Sequence, residues 1–254
     1  MTLALVAREK GIPLVNISQT FQRSSHVLTC LKSSGIKSPA DFRGHSIGVW
    51  HFGREYMFLD WMAKLNIPTN GGPEGVTVVN QRGIDLLINR QAACISTLTY
   101  NEYWQVIDAG FRPDDLVVFK YSDEGLQTLE DGVYASGERL KEPAFAAKLA
   151  RFVAASNRGW AWAIKNQDEA VNIVLANDAT RAQTEKHQKR MMGEVAKLIT
   201  DSKNPLGYLD PADYERTVSI LLSSKSTSII TKMPEGAWTH AIYEASKAYA
   251  EPVK

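Results

Sequence analysis

Residues 46–64 read SIGVWHFGREYMFLDWMAK, a strand that turns through glycine into a helix. Ser46 to Trp50 alternates, with Ile47 and Val49 on one face at the period of two. The pattern breaks at His51-Phe52-Gly53. Beyond it Phe58, Leu59, Met62 and Leu65 recur at helical spacing. Such a turn leaves the free N–H groups of the first helical turn at a sheet's carboxyl edge, where an anion or polar ligand is held. Gly53 lets the backbone approach closely and take a positive φ. Gly53-Arg54-Glu55-Tyr56 is therefore the first ligand-binding candidate. The competing reading is an ordinary βα turn that binds nothing.

Outward from this stretch the chain keeps alternating. Strands are expected at Ile12–Phe21, Val27–Leu31, Val76–Asn80, Ala93–Leu98 and Leu116–Tyr121, and helices at Gly83–Asn89 and Asn101–Ala109. Ser38 reads as an N-cap before Pro39 at a first helical position. Ala4–Lys10 reads as the last turns of a helix stopped by Gly11 and Pro13. The alternation argues for a mostly parallel α/β sheet between residues 12 and 121. Past residue 140 the pattern turns helical. Pro143–Trp162 carries Phe145, Leu149, Phe152 and Val153, and Gln167–Ala176 carries Ala170, Ile173 and Val174. Thr184–Thr200 places Met191, Val195 and Leu198 inward, and Pro211–Leu222 and Trp238–Tyr249 complete a helical second half. An α/β half followed by a helix-rich half with no flexible linker points to two lobes that share chain crossings.

Composition bounds the function. The chain has 254 residues, 44% hydrophobic and 22% charged, with a net charge of +1. No strong field points to nucleic acid or to an anionic membrane surface. Apolar runs fall far short of the roughly 20 residues a bilayer span needs. The two cysteines, Cys30 and Cys94, lie on apolar stretches and read as buried free thiols, with a disulfide as the alternative.

Three segments end strands with polar or aromatic residues: 50–56, 97–104 and 121–125. In an open parallel sheet such ends converge on the ligand crevice. Trp50, Phe52 and Tyr56 suit stacking on a flat ring, and Thr97, Thr99, Tyr100 and Asn101 suit polar recognition. For the last three a helix cap is the alternative, with Thr99 or Asn101 capping. Trp104 reads as a core residue. No Walker loop, GxGxxG, GxSxG, HExxH or CxxC is present. The five histidines are scattered, and His51 alone falls at a candidate ligand edge, where a hydrogen-bonding wall residue is the plainer reading than a catalyst. The pairs Asp123/Glu124 and Glu130/Asp131 have no nucleophile or metal to serve and read as ligand acceptors or solvated charge.

Four stretches, GIKSPADFRGHSIGVW, FGREYMFLDWMAKLNI, STLTYNEYWQVIDAG and PEGAWTHAIYEASK, together resemble the periplasmic substrate-binding proteins of hydroxymethylpyrimidine ABC transporters. These sit in a wider family with sulfonate-binding proteins and fungal thiamine-pyrimidine synthases. The resemblance implies a type II periplasmic-binding-protein-like fold: two α/β lobes joined by crossings, with hinge closure on the ligand. It implies lobe 2 at 24–118, a remnant of lobe 1 with the first crossing at 1–23, and a second crossing with a helix-rich return to lobe 1 at 119–254. The implied role is capture of a pyrimidine thiamine precursor for an ABC permease in the periplasm, without catalysis and without a cofactor. The implied ligand contacts are Trp50, Phe52, Gly53, Arg54, Glu55, Tyr56, Thr97, Thr99, Tyr100 and Asn101, with Glu124 or Glu130 pairing the aminopyrimidine edge.

Two departures stand out. The family's signal peptide and the first half of lobe 1 have no counterpart here, so lobe 1 is expected to be incomplete at its N-terminus. The synthase branch carries a cysteine-rich cluster with lysine and histidine for pyridoxal phosphate, and Cys30 and Cys94 stand apart from any such cluster. A synthase-like enzyme is thus the runner-up, followed by a sulfonate- or nitrate-type binder on the same fold.

Overall fold

A computed structural model describes residues 1–225 and 229–250. In chain order the elements are α1 (Thr2–Glu9), β1 (Leu14–Gln19), β2 (His26–Leu31), β3 (Ser46–Val49), α2 (Tyr56–Lys64), β4 (Thr77–Asn80), α3 (Asp85–Ile88), β5 (Cys94–Leu98), α4 (Glu102–Asp108), β6 (Leu116–Lys120), β7 (Gly132–Ser136), α5 (Pro143–Lys165), α6 (Gln167–Ala176), α7 (Glu185–Thr200), α8 (Pro211–Leu222) and α9 (Ala241–Ser246). They form two compact units. The first comprises Met1–Ser24, Thr128–Leu222 and the chain from Ile230 on; the second comprises Ser25–Gln127 and Ser223–Ile229.

The second unit is built on a five-stranded sheet in the order β4-β3-β5-β2-β6. β3 is parallel to β4 and β5, while β2 runs antiparallel to both β5 and β6. Four strands therefore share one direction, as the alternation with helices predicts, β2 alone opposes them, and the strand expected at Ile12–Phe21 lies outside this sheet. The core is apolar. Val27, Leu28, Ile47, Val49 and Ile95 are buried, and Leu31, Leu87, Ala92, Val106 and Leu116 pack in one cluster with Ile95. Gly48 is closely packed: a Cβ there would lie 3.0 Å from the side chains of both Ile95 and Leu86. Phe42, Trp61, Phe119 and Tyr121 meet edge to face at centroid distances of 5.3–6.3 Å. The expected cap at Ser38 is present, with Asp41 accepting from the Ser38 N–H at 2.8 Å.

The free-thiol reading of the cysteines is corrected. Cys30 on β2 and Cys94 on β5 are directly opposed in the ladder and form a disulfide. Their apolar surroundings signal burial, and only the strand register shows that they face each other. Closing a chain separation of 64 residues is worth about 4 kcal/mol in the chain-entropy account.

Within the second unit Asp60, whose side chain is wholly buried, holds Lys225. One Asp60 oxygen accepts from the Lys225 N–H at 2.8 Å, and the other pairs with Lys64 Nζ at 2.9 Å.

The first unit has a two-stranded ribbon, β1 against β7, surrounded by helices. β1 is unusual in burying polar side chains: Asn16, Ser18 and Gln19 are at most 2% exposed. Each has a hydrogen-bonding task. Asn16 Nδ2 donates to Gln19 Oε1 at 2.9 Å, Gln19 Nε2 to the Phe21 and Asp131 carbonyls at 2.7 and 3.1 Å, and Ser18 Oγ to the Gly207 carbonyl at 3.2 Å. The backbone of β1 also bridges to Gly207 and Trp238. That bridge is why helix α9 starts at Ala241 and not at Trp238 as periodicity predicts. Val15, Ile17, Ala135, Val153 and Ile242 supply the apolar contacts beneath the ribbon. On α6 the buried pair is Ala170 and Val171, while Ile173 and Val174 are half exposed, so of the stripe read from sequence only Ala170 is buried. Phe152 on α5 likewise faces out, at 55% exposure. No helix among the described residues is long and apolar enough to cross a membrane.

Candidate functional site

The sheet of the second unit fixes where its turns converge. β3, β4, β5 and β6 all end at one edge, and β2 begins there. That edge therefore gathers Trp50–Tyr56 after β3, Gln81 after β4, Thr99–Asn101 after β5, and Tyr121–Glu124 after β6. Backbone bonds tie the edge together, from the Thr99 N–H to the Ser25 carbonyl at 3.0 Å and from the Tyr121 N–H to the His26 carbonyl at 3.3 Å.

Aromatic rings line the middle of this edge. His26, the first residue of β2, stands edge-on to Trp50 at 6.1 Å and to Tyr121 at 6.2 Å. Sequence reading passed over His26 because its strand is antiparallel and its position at the edge depends on strand order. Burial pushes the Tyr121 hydroxyl far above its ordinary pKa, and a hydrogen bond to Ser96 pulls it partway back, so it stays a neutral phenol. Gln81 is a second residue without a sequence signal. It is buried at the end of β4 and clasps Ser96 through both amide atoms, at 2.7 and 2.9 Å.

The turn after β3 is tightly wound. Phe52 has φ 66° and Gly53 φ 91°, and Phe52 is 89% exposed. Glu55 holds the turn by accepting from the Gly53 N–H at 2.8 Å, so its carboxylate is occupied by its own turn. Arg54 is exposed, and Trp50 and Tyr56 are half-buried.

After β5 the expected residues separate. Thr97 is fully buried within the sheet, and its hydroxyl meets that of Thr29 at 2.7 Å. Thr99, Tyr100 and Asn101 lie in the turn and are half-buried. Asn101 occupies the N-cap position of α4, but its side chain makes no capping bond; its Oδ1 accepts from Gln105 Nε2 at 3.1 Å. Glu102 holds this turn, accepting from the Leu98 N–H at 3.0 Å and from Asn101 Nδ2 at 2.9 Å. Glu124 lies half-buried in the turn after β6. Glu130 belongs to the first unit, where it is buried and its carboxylate accepts from the Ser24 hydroxyl. Among the described residues no three His, Cys, Asp or Glu side chains are grouped to hold a metal ion.

The first unit has its own ring cluster. Tyr208 stacks on His240 at 4.4 Å, and Trp238 tilts against His240 at 4.7 Å. His240 Nε2 bonds to the Leu209 carbonyl at 2.7 Å.

An open sheet with rings and hydroxyls at its carboxyl edge is an arrangement at which α/β proteins hold ligands. The chain belongs to the NMT1/THI5 like family, whose model matches residues 1–170. Among proteins of known role it is 24% identical over 227 residues to the formylaminopyrimidine-binding protein of Halalkalibacterium halodurans. That alignment covers 85% of this chain and 65% of the relative, so this chain spans less than two thirds of the relative's length. Among solved structures it is similar to the periplasmic sulfonate-binding protein SsuA of Methylobacillus flagellatus, with a TM-score of 0.61 at 17% identity over 96% of this chain and 72% of the other. It is also similar to the desulfurization enzyme DSZB, with a TM-score of 0.58 at 14% identity over 94% and 80%. These two likenesses, one to a binding protein and one to an enzyme, show the mixed α/β fold.

Proposed function

We propose that the chain is the solute-binding component of an ABC importer. Its ligand is a pyrimidine thiamine precursor, either hydroxymethylpyrimidine or the formylated aminopyrimidine. The observation that carries this reading is the Trp50–His26–Tyr121 wall at the carboxyl edge, flanked by the half-buried Thr99, Tyr100 and Asn101. A flat, apolar-faced heterocycle with a polar rim matches such a wall better than a small tetrahedral sulfonate does. The name of the Halalkalibacterium relative supports the same ligand class. The contacts are Trp50, Phe52, Gly53, Arg54, Tyr56, Thr99, Tyr100 and Asn101, with Glu124 as the acceptor for the exocyclic amine. Glu55 and Thr97 act through the turn and the sheet that present the others. The site of action is the periplasm, with delivery to a permease. The Cys30–Cys94 disulfide accords with an oxidising compartment.

Calorimetric titration with 4-amino-5-hydroxymethyl-2-methylpyrimidine and its formylated amine tests the reading, with ethanesulfonate and pyridoxal phosphate as parallel arms. Saturable heat with the pyrimidines alone is expected. Heat with ethanesulfonate alone would reassign the chain to the sulfonate binders, and an aldimine absorbance with pyridoxal phosphate would favour the synthase reading.

A further inference from the structure

His51 is the second residue beyond β3, at the edge that carries the proposed site. Its Nε2 is buried and makes no hydrogen bond. A neutral imidazole has one donor and one acceptor, and a buried ring nitrogen left without a partner is destabilising. Native folds satisfy nearly all such atoms, so an exception calls for an explanation.

The neighbouring residues supply one. Phe52 holds φ 66° with its ring 89% exposed, a conformation that a bulky side chain rarely adopts. Backbone of this kind concentrates at ligand clamps, where surrounding structure over-determines it. Here Glu55 does so by holding the Gly53 N–H. Trp50, the residue before His51, stands against His26. His51 therefore lies in sequence between Trp50, which faces His26, and the exposed Phe52.

We infer that His51 Nε2 is a recognition contact, completed by the polar rim of a heteroaromatic ligand seated at this edge. The inference rests on the proposed function and adds a residue that its contact set does not contain. An aminopyrimidine suits either tautomer. Its exocyclic amine donates to an acceptor nitrogen, and its ring nitrogen accepts from a donor N–H.

The test titrates 4-amino-5-hydroxymethyl-2-methylpyrimidine into the wild-type protein and into His51→Phe, and measures the ligand-free Tm of both. Phenylalanine keeps a ring of similar size and removes the nitrogen. The expected result is an affinity about tenfold weaker, with a ligand-free Tm that is unchanged or higher because the unpartnered atom is gone. An affinity equal to wild type overturns the contact. So does a weakened affinity matched by a lower ligand-free Tm, the signature of a residue that only holds the turn. If the wild-type protein itself binds no pyrimidine, the functional reading has failed and the contact falls with it.

Discussion

In the second unit β2, β3 and β5 bury Val27, Leu28, Ile47, Val49 and Ile95, whereas in the first unit β1 buries Asn16, Ser18 and Gln19 beside Val15 and Ile17. The first arrangement gains its stability from apolar area and close ring packing, which is non-directional and proportional to what is removed from water. The second depends on hydrogen bonds that must each be met, since one missing partner leaves a desolvated polar group behind. The two units are therefore vulnerable to different changes. The sheet of the second unit is sensitive to lost volume, and the ribbon of the first to displaced amide groups.

The largest effect is expected from volume. Trp61 is 1% exposed and packs edge-on against Phe42, Phe119 and Tyr121. Trp61→Ala is expected to cost about 3–5 kcal/mol, read as a lower urea midpoint. Peptide-level hydrogen exchange should place the lost protection in the 25–127 region. Protection lost equally from β1 and β7 would break the contrast between the units.

A pair of glycine variants sharpens it. A Cβ on Gly132 would lie 2.6 Å from Asn16 Nδ2 and 2.7 Å from Gln19 Oε1, inside the polar network. On Gly48 it would meet Ile95 Cγ2 and Leu86 Cδ1 at 3.0 Å and Gln81 Oε1 at 3.2 Å, contacts that shifts of a few tenths of an ångström relieve. Gly132→Ala is expected to cost about 2–3 kcal/mol and Gly48→Ala about 1 kcal/mol, compared by urea denaturation. The reverse order would show that the apolar sheet is the less forgiving of the two.

The smallest effect is alkaline. Burial pushes Tyr134 on β7 up to about 12, and the Asn16 side chain pulls it partway back. Burial also raises Tyr214 to about 12. An unfolded tyrosine loses its proton near pH 10, so between about pH 10 and 12 the unfolded state binds fewer protons than the native one. The stability these phenols contribute is complete below about pH 10 and falls as the pH rises toward 12. For Tyr134 the slope is at most about 1.4 kcal/mol per pH unit. Tm measured across this window should decline, and Tyr134→Phe should flatten the decline.

Much of the second unit was legible because its signals are local. The period-two runs at Val27–Leu31 and Ala93–Leu98, the glycine turn at 53 and the cap at Ser38 are written in consecutive residues. β7 was missed, since Gly132–Ser136 is five residues with weak alternation and acquires its strand character by pairing with β1. At the candidate site the segments after β3, β5 and β6 were legible as strand ends. His26, Gln81 and Glu102 were not, because each acts on a partner chosen by strand order or by the path of a turn.

Residue order alone specifies the alternation of strands and helices, the helical character of the later chain and the turn at His51-Phe52-Gly53. These follow from side-chain periodicity and backbone preference within a few residues. Tertiary structure alone decided that Cys30 meets Cys94, that His26 stands between Trp50 and Tyr121, that Ser223–Ile229 belongs with the second unit, and that the polar residues of β1 are buried. Each depends on which distant segments become neighbours, and that is settled by the register and order of strands across the whole sheet, where local periodicity carries no information.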